Sequence, residues 1–369
     1  MSGIAVAAAA AHEAPAAPAR LSSLDGLRAI AIVLVVVEHA HHTPGFPPID
    51  LQPWLGDYGR LGVTLFFVIS GFLITTLLLR EHESRGAISL KSFYLRRAVR
   101  IFPAFLAFMA FVVLSQALGW IELHRWDLAA AFTYTVNYHP ARSWPIGHLW
   151  SLSVEEQFYL LWPLTMVLLS RRAALVAAAA VFLLAPCVRL WMERVSSLPL
   201  EYRDLEVFPA VADGIAIGCV IAMLRPWLLA QRWYLRATGP ALLLVALPLV
   251  AVANRFVGFA AVDLVGTPLA LLAIALMVEA STRWTGLVSA LLNARPMVWL
   301  GTLSYSLYLW QQVLLDRHAT GWYARFPQNV LLALAVACAS YFLLERPLLE
   351  LRRRLARESH GEQRVDQTP

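Results

Sequence analysis

Charge is scarce in this chain. Asp, Glu, Lys and Arg make up 15% of its 369 residues, while 59% are hydrophobic. A soluble domain carries about 25% charged and 45–50% apolar residues. One water-exposed core has no use for so much apolar surface, so the expected solvent is lipid. Mean hydropathy agrees, at +0.62. Cysteine is also scarce. Cys187, Cys219 and Cys338 are scattered through apolar runs, which argues against a disulfide framework or a metal cluster and leaves them as small buried fillers. The first twenty residues are rich in Ala and Pro and lack the apolar stretch of a cleaved leader, so residues 1–20 read as a floppy cytoplasmic tail. There is no internal repeat.

What is abundant is apolar runs of spanning length. A membrane helix needs roughly 20 residues at 1.5 Å each. Ten such runs occur, at about 26–42, 61–79, 101–118, 150–170, 173–192, 208–224, 238–254, 261–280, 298–316 and 328–345. The fold expected is an all-α polytopic bundle of about ten transmembrane helices. Segment 127–138 is apolar but short, and reads as re-entrant or interfacial. With the N-terminus in the cytoplasm, the 30 Lys and Arg divide 21 inside to 9 outside. The positive-inside rule therefore predicts both termini cytoplasmic. This division also accounts for the net charge of +6 without a nucleic-acid partner. Residues 349–369 form a charged cytoplasmic tail.

Ionisable groups inside membrane helices are costly, so each is a candidate for function. Asp25 and Arg28 open the first run and Glu38-His39-Ala40-His41-His42 closes it. Arg suits phosphate or carboxylate, and His is the usual base near neutral pH. A snorkelling Arg and solvated histidines explain the same residues blandly. Glu38, His39 and His42 share a helix face, but no metal is expected there. Ser70-Gly71 interrupts the second run, where small residues favour close helix packing. Arg96, Arg97 and Arg100 gather at a cytoplasmic helix start, fit either to grip a polyphosphate or to anchor the helix. Glu155 and Glu156 lie about six residues into the fourth run and project about 100° apart. An acidic first turn explains them poorly that deep.

Five segments together resemble acyltransferase family 3, the transmembrane O-acyltransferases of bacterial surface glycans. They are LDGLRAIAIVLVVVEHA (24–40), GVTLFFVISGFLIT (62–75), FYLRRAVRIFPA (93–104), HLWSLSVEEQFYLLWP (148–163) and LGTLSYSLYLWQQ (300–312). They come in the family's order, and the fourth is the most specific. The resemblance implies a ten-helix acyltransferase domain over 21–348 in a bacterial inner membrane. It also implies acyl-CoA, by default acetyl-CoA, as donor substrate and a sugar hydroxyl as acceptor.

Matched position by position, the family's first-helix pair falls on Arg28 and His39. Its Arg cluster falls on Arg96, Arg97 and Arg100, with Ser70 and Tyr94 assigned to the same donor side. Its carboxylates fall on Glu155 and Glu156. Asp25, His148, Trp150, Ser151, Ser153 and Tyr159 are assigned to the acceptor. Where many members have His after the Leu-Tyr-Leu-Trp motif, this chain has Gln311-Gln312, so Gln311 is given no acid/base role. The expected chemistry is attack of a sugar hydroxyl on the thioester, with His39 as base, a Glu155 or Glu156 carboxylate orienting it, and Arg28 on the donor or the oxyanion. A covalent acyl-His route is the variant. The rival reading is a transporter or glycan flippase whose buried charges form a path. It lacks paired broken helices and leaves the Arg cluster unexplained.

Overall fold

The computed structural model describes residues 22–195, 206–352 and 354, which are helices and loops with no strand. The expected tail 1–20, and residue 353 and residues 355–369 of the expected tail 349–369, lie outside the described residues.

A helix occupies each of the ten expected ranges. They are α1 (Ser22–His41), α2 (Tyr58–Arg85), α3 (Leu90–Ala117), α4 (Leu149–Leu168), α5 (Arg171–Leu190), α6 (Asp213–Leu229), α7 (Leu243–Arg255), α8 (Thr267–Ser281), α9 (Arg295–Leu314) and α10 (Gln328–Ser340). Among the described residues, five helical stretches are long and apolar enough to cross a membrane: Tyr58–Arg85, Leu90–Ala117, Arg171–Arg194, Val262–Ser281 and Gln328–Arg352. With the family assignment given below, they make this a membrane protein. Segment 127–138 holds only a six-residue helix, Asp127–Phe132, and one short 3-10 turn. Six residues rise about 9 Å, well short of a bilayer.

Local chemistry sets the helix ends. The Asp57 carboxylate accepts from the Arg60 amide at 2.7 Å and caps α2. Ser89 and Ser170 cap α3 and α5 in the same way, satisfying amides that a helix start leaves without partners. Gly86 ends α2 in a left-handed conformation, φ 73°, open to glycine at little cost.

Packing divides the bundle into a centre and a rim. α2 contacts α1, α6 and α8, and α1 runs against α9. Lipid offers no hydrophobic drive for helix association, so close backbone approach has to supply it. At the α2–α6 crossing, a Cβ on Gly71 would lie 2.0 Å from the Ile215 carbonyl oxygen, and one on Gly218 2.4 Å from that of Val68. At the α1–α9 crossing, a Cβ on Gly301 would lie 1.8 Å from the Asp25 carbonyl oxygen. These obstacles are backbone and cannot rotate away. Gly218→Ala should therefore lower stability by about 1–3 kcal/mol, read as a lower melting temperature in detergent. An unchanged melt would mean the crossing can slide.

The rim is less buried. α5 turns Val176, Leu183 and Leu184 outward. Cys187, expected to be buried, is exposed on the same helix, whereas Cys219 is buried and Cys338 half-buried. An apolar side chain facing lipid has no need of a protein neighbour, so an apolar run does not by itself imply burial.

Candidate active site

Many of the charged residues inside the bundle line two cavities. The first, about 760 Å³, is walled by Arg28 of α1, Arg97 and Arg100 of α3, and Glu155 and Glu156 of α4. Arg28 is ion-paired with Asp25 at 3.7 Å. The Arg97 guanidinium lies 4.8 Å from the centre of the Tyr159 ring, a cation–π contact. The Tyr159 hydroxyl is 2.7 Å from Ser70 Oγ. Arg100 approaches the fully buried Glu345, Nη1 to Oε2 3.8 Å, while Ser306 donates to the other Glu345 oxygen. Three guanidinium groups and two carboxylates thus face one space. Such a wall can bind a polyanion and hold a proton donor or acceptor near it.

The second cavity, about 1080 Å³, is a vestibule at the other end of α1. Glu38, His39, Arg142, Trp144 and His148 line it. Arg28 and His39 are eleven residues apart, about three turns and 16 Å, so one helix face presents Arg to the first cavity and His to the second. His39 Nδ1 is 2.7 Å from Gln311 Oε1 on α9. An amide oxygen only accepts, so Nδ1 carries the proton and Nε2 of neutral His39 keeps its lone pair. Glu38 Oε2 is 3.5 Å from Nε2, and Trp144 packs edge-on to the ring with centroids 5.5 Å apart. Val63 and Tyr308 line both cavities, which adjoin there. Tyr308 is fixed by a 2.5 Å contact with Ser151 and by donation to the His148 carbonyl at 3.1 Å.

The sequence-based set is therefore divided rather than gathered. Arg28, Arg97, Arg100, Glu155, Glu156, Ser70, Ser151 and Tyr159 meet in the first cavity. His39, His148 and Trp150 line the vestibule. Arg96 joins neither, because Glu81 at the end of α2 takes it at 2.7 Å. Tyr94 donates to the Leu160 carbonyl at 2.9 Å and Ser153 to that of Leu149 at 2.9 Å, both away from the cavities. Glu155 and Glu156, expected to orient His39, lie in the other chamber, and Gln311 holds the imidazole instead. Glu38 lies 3.4 Å from His42 as well, yet no group of three or more metal-ligating side chains occurs among the described residues.

Sequence reasoning missed Gln311, Tyr308 and Glu345. Only Gln311 carried a signal: an amide near the end of an apolar run has to meet a partner when it is buried, as it is here.

Comparison with known proteins gives the family. The profile described as "Acyltransferase domain" matches residues 21–344. The chain is 27% identical over 329 residues to the O-acetyltransferase OatA of Staphylococcus aureus strain NCTC 8325, and equally to that of strain COL. The match covers 80% of this chain and 53% of OatA. A second protein of strain COL, named provisionally as an O-acetyltransferase, is 42% identical over 132 residues, which is 32% of this chain and 22% of that relative. The chain spans about half the length of OatA. No solved structure matches it. A profile match over residues 21–344 takes in all ten helices and both cavities, and the chain belongs to the acyltransferase-3 family.

Proposed function

We propose that this chain transfers an acyl group, acetyl by default, from acyl-CoA to a sugar hydroxyl in a bacterial inner membrane. The observation that carries the reading is the pair of cavities that meet at Val63 and Tyr308. One is lined by arginines and the other presents a lone-pair nitrogen of His39. The bias of Lys and Arg between loops supports ten spans with both termini cytoplasmic, which puts the Arg28 end inside and the His39 end outside. Residues 21–348 form the catalytic domain, flanked by cytoplasmic tails. The names of the relatives favour acetyl over longer acyl groups.

Arg97 and Arg100 bind the CoA phosphates, and Arg28 draws the thioester toward Tyr308. The acceptor enters the vestibule beside Trp150 and His148. His39 Nε2 takes the hydroxyl proton as the oxygen attacks the thioester carbonyl. The C–S bond breaks, and the proton passes to the thiolate to give free CoA. Glu155 or Glu156 serves as the proton relay on the donor side rather than as a partner of His39. Arg96, Tyr94 and Ser153 have no part in this scheme.

Gln311 becomes a positioning residue. Gln311→Leu removes the acceptor that fixes the imidazole tautomer and leaves a buried donor without a partner, at about 1–3 kcal/mol. That corresponds to a roughly 10- to 100-fold fall in kcat. Gln311→Glu restores an acceptor and should recover most of the rate. If Gln311→Leu keeps the wild-type rate, the tautomer is set elsewhere. The reading as a whole is tested with purified full chain in lipid nanodiscs, labelled acetyl-CoA and a pool of glycans. Label moving to glycan in a His39-dependent way supports it. No binding or turnover of any acyl-CoA overturns it and returns the bet to transport.

A further inference from the structure

Glu345 is a buried carboxylate that the chemistry above leaves without a task. It ends a π turn, Tyr341–Glu345, which continues the α10 helix and packs against α3. The side chain is fully buried. Ser306 donates to Oε1. Oε2 has no hydrogen-bond partner among the described residues and lies 3.8 Å from Arg100 Nη1. A carboxylate inside a membrane helix is costly. One that holds helices together is tied on both oxygens, as Glu279 of α8 is by Arg225, Arg283 and Tyr234. Glu345 is tied on one.

The loose contact sits just behind the first cavity. Arg100 lines that cavity, and Glu345 does not. Arg28 and Arg97 line it too, so three like charges face one space and repel. Each needs a hold. Asp25 supplies one for Arg28 at 3.7 Å, and the Tyr159 ring supplies one for Arg97 at 4.8 Å. The Arg100 side chain is 28% exposed and has room to swing away from the cavity. Glu345 opposes that swing. Arg96 shows the other extreme: it is closed on Glu81 at 2.7 Å, and its charge is spent there. At 3.8 Å, Glu345 attracts Arg100 without taking up its hydrogen bonds. A guanidinium carries five N–H donors in one rigid plane, so Arg100 held in this way keeps them for a phosphate.

We propose that Glu345 is a positioning residue of the donor site: from behind the cavity wall it holds the Arg100 guanidinium in line for the phosphates of acyl-CoA. The proposal rests on the first cavity being the acyl-CoA site. It deepens that reading by making recognition of the nucleotide end depend on an acid from the far end of the chain.

The test sets two donors against one substitution. Acetyl-CoA is compared with S-acetylpantetheine, which keeps the thioester arm but lacks the nucleotide and its phosphates. Full chain in nanodiscs is assayed with each donor and a glycan pool, and release of free thiol is read. Glu345→Gln keeps an acceptor for Ser306 and removes the charge. KM for acetyl-CoA should then rise about 10-fold with kcat little changed, the loss of roughly one charge-assisted contact. KM for S-acetylpantetheine should not move. Glu345→Asp restores the charge and should recover most of the acetyl-CoA KM. If Glu345→Gln does not survive extraction, Ser306→Ala loosens the same carboxylate and should raise the acetyl-CoA KM about 3-fold, again for that donor alone.

An unchanged acetyl-CoA KM in the variant overturns the proposal. So does a rise of equal size for both donors, or a fall in kcat with both, because those mark a structural role. A wild type that takes both donors equally well has no phosphate recognition, and then the assignment of the first cavity fails before the role of Glu345 is reached. A wild type that turns over neither donor overturns the transfer reading, and this proposal with it.

Discussion

His39→Ala is expected to cut acyl transfer by about 10²- to 10⁴-fold, the usual contribution of a positioned general base. Three features of the vestibule make the loss large. His39 Nε2 is the ring nitrogen left with a lone pair, because Gln311 occupies Nδ1. His148, the other imidazole lining the space, donates through Nε2 to the Leu309 carbonyl at 3.0 Å and is packed against Phe108 and Tyr308. Glu38 remains, but its carboxylate faces His42 as well. The KM for acetyl-CoA should change little, since the Arg28, Arg97 and Arg100 cavity lies across Val63 and Tyr308. A kcat effect without a KM effect is the signature of an interaction made in the transition state. Steady-state transfer assays on wild type and variant in the same nanodiscs decide the matter, and near-wild-type turnover would remove His39 from the mechanism.

The second large effect is on stability and lies far from both cavities. Glu279 of α8 is fully buried and takes four charged or polar donors. Arg225 Nε of α6 reaches Oε1 at 3.1 Å, while Arg283 donates through Nε and Nη2 and Tyr234 donates at 2.7 Å to Oε2. Arg225 also donates to Thr282 and Arg283 to Thr238, so the cluster ties α6, α8 and the short helix Arg232–Ala237 together. Glu279→Ala strands two guanidinium groups away from bulk water. Breaking a buried pair by removing one partner costs about 3–5 kcal/mol. The variant should melt much lower and give little monodisperse protein. What does fold should retain the wild-type KM for acetyl-CoA. A wild-type melting curve would show that water or the neighbouring hydroxyls satisfy both arginines without the carboxylate.

The helices were legible because each needs a long apolar run, and such runs are a property of the sequence read locally. Which charged side chains would share a cavity was legible only in part, and their geometry was not. Arg96, Arg97 and Arg100 look like one cluster by spacing, yet a single step along the helix turns Arg96 toward Glu81, an acid from the previous helix that no spacing rule connects to it. Tyr94 and Ser153 looked available for a ligand, but nearby carbonyls take their hydroxyls. The assignment of Glu155 and Glu156 to His39 failed for the opposite reason. Chemistry suggested a carboxylate for an imidazole, while tertiary packing, with Gly301 seated against Asp25, brings α9 alongside α1 and delivers an amide. Gln311 lies 272 residues from His39, and only the fold puts them together.

The partition at Val63 and Tyr308 has an electrical meaning. A membrane holding 100 mV does about 2.3 kcal/mol of work on each elementary charge that crosses it. In the proposed orientation, with the Arg28 chamber opening inward and the vestibule outward, two polar spaces would penetrate the bilayer from opposite faces, and an unbroken water thread between them would discharge the cell through protons. Val63 and Tyr308, which line both spaces, are 7% and 6% exposed and present a branched hydrocarbon and an aromatic ring where such a thread would have to pass. On the proposed function, an acyl group then passes between compartments while the chain remains, to ions, an insulator.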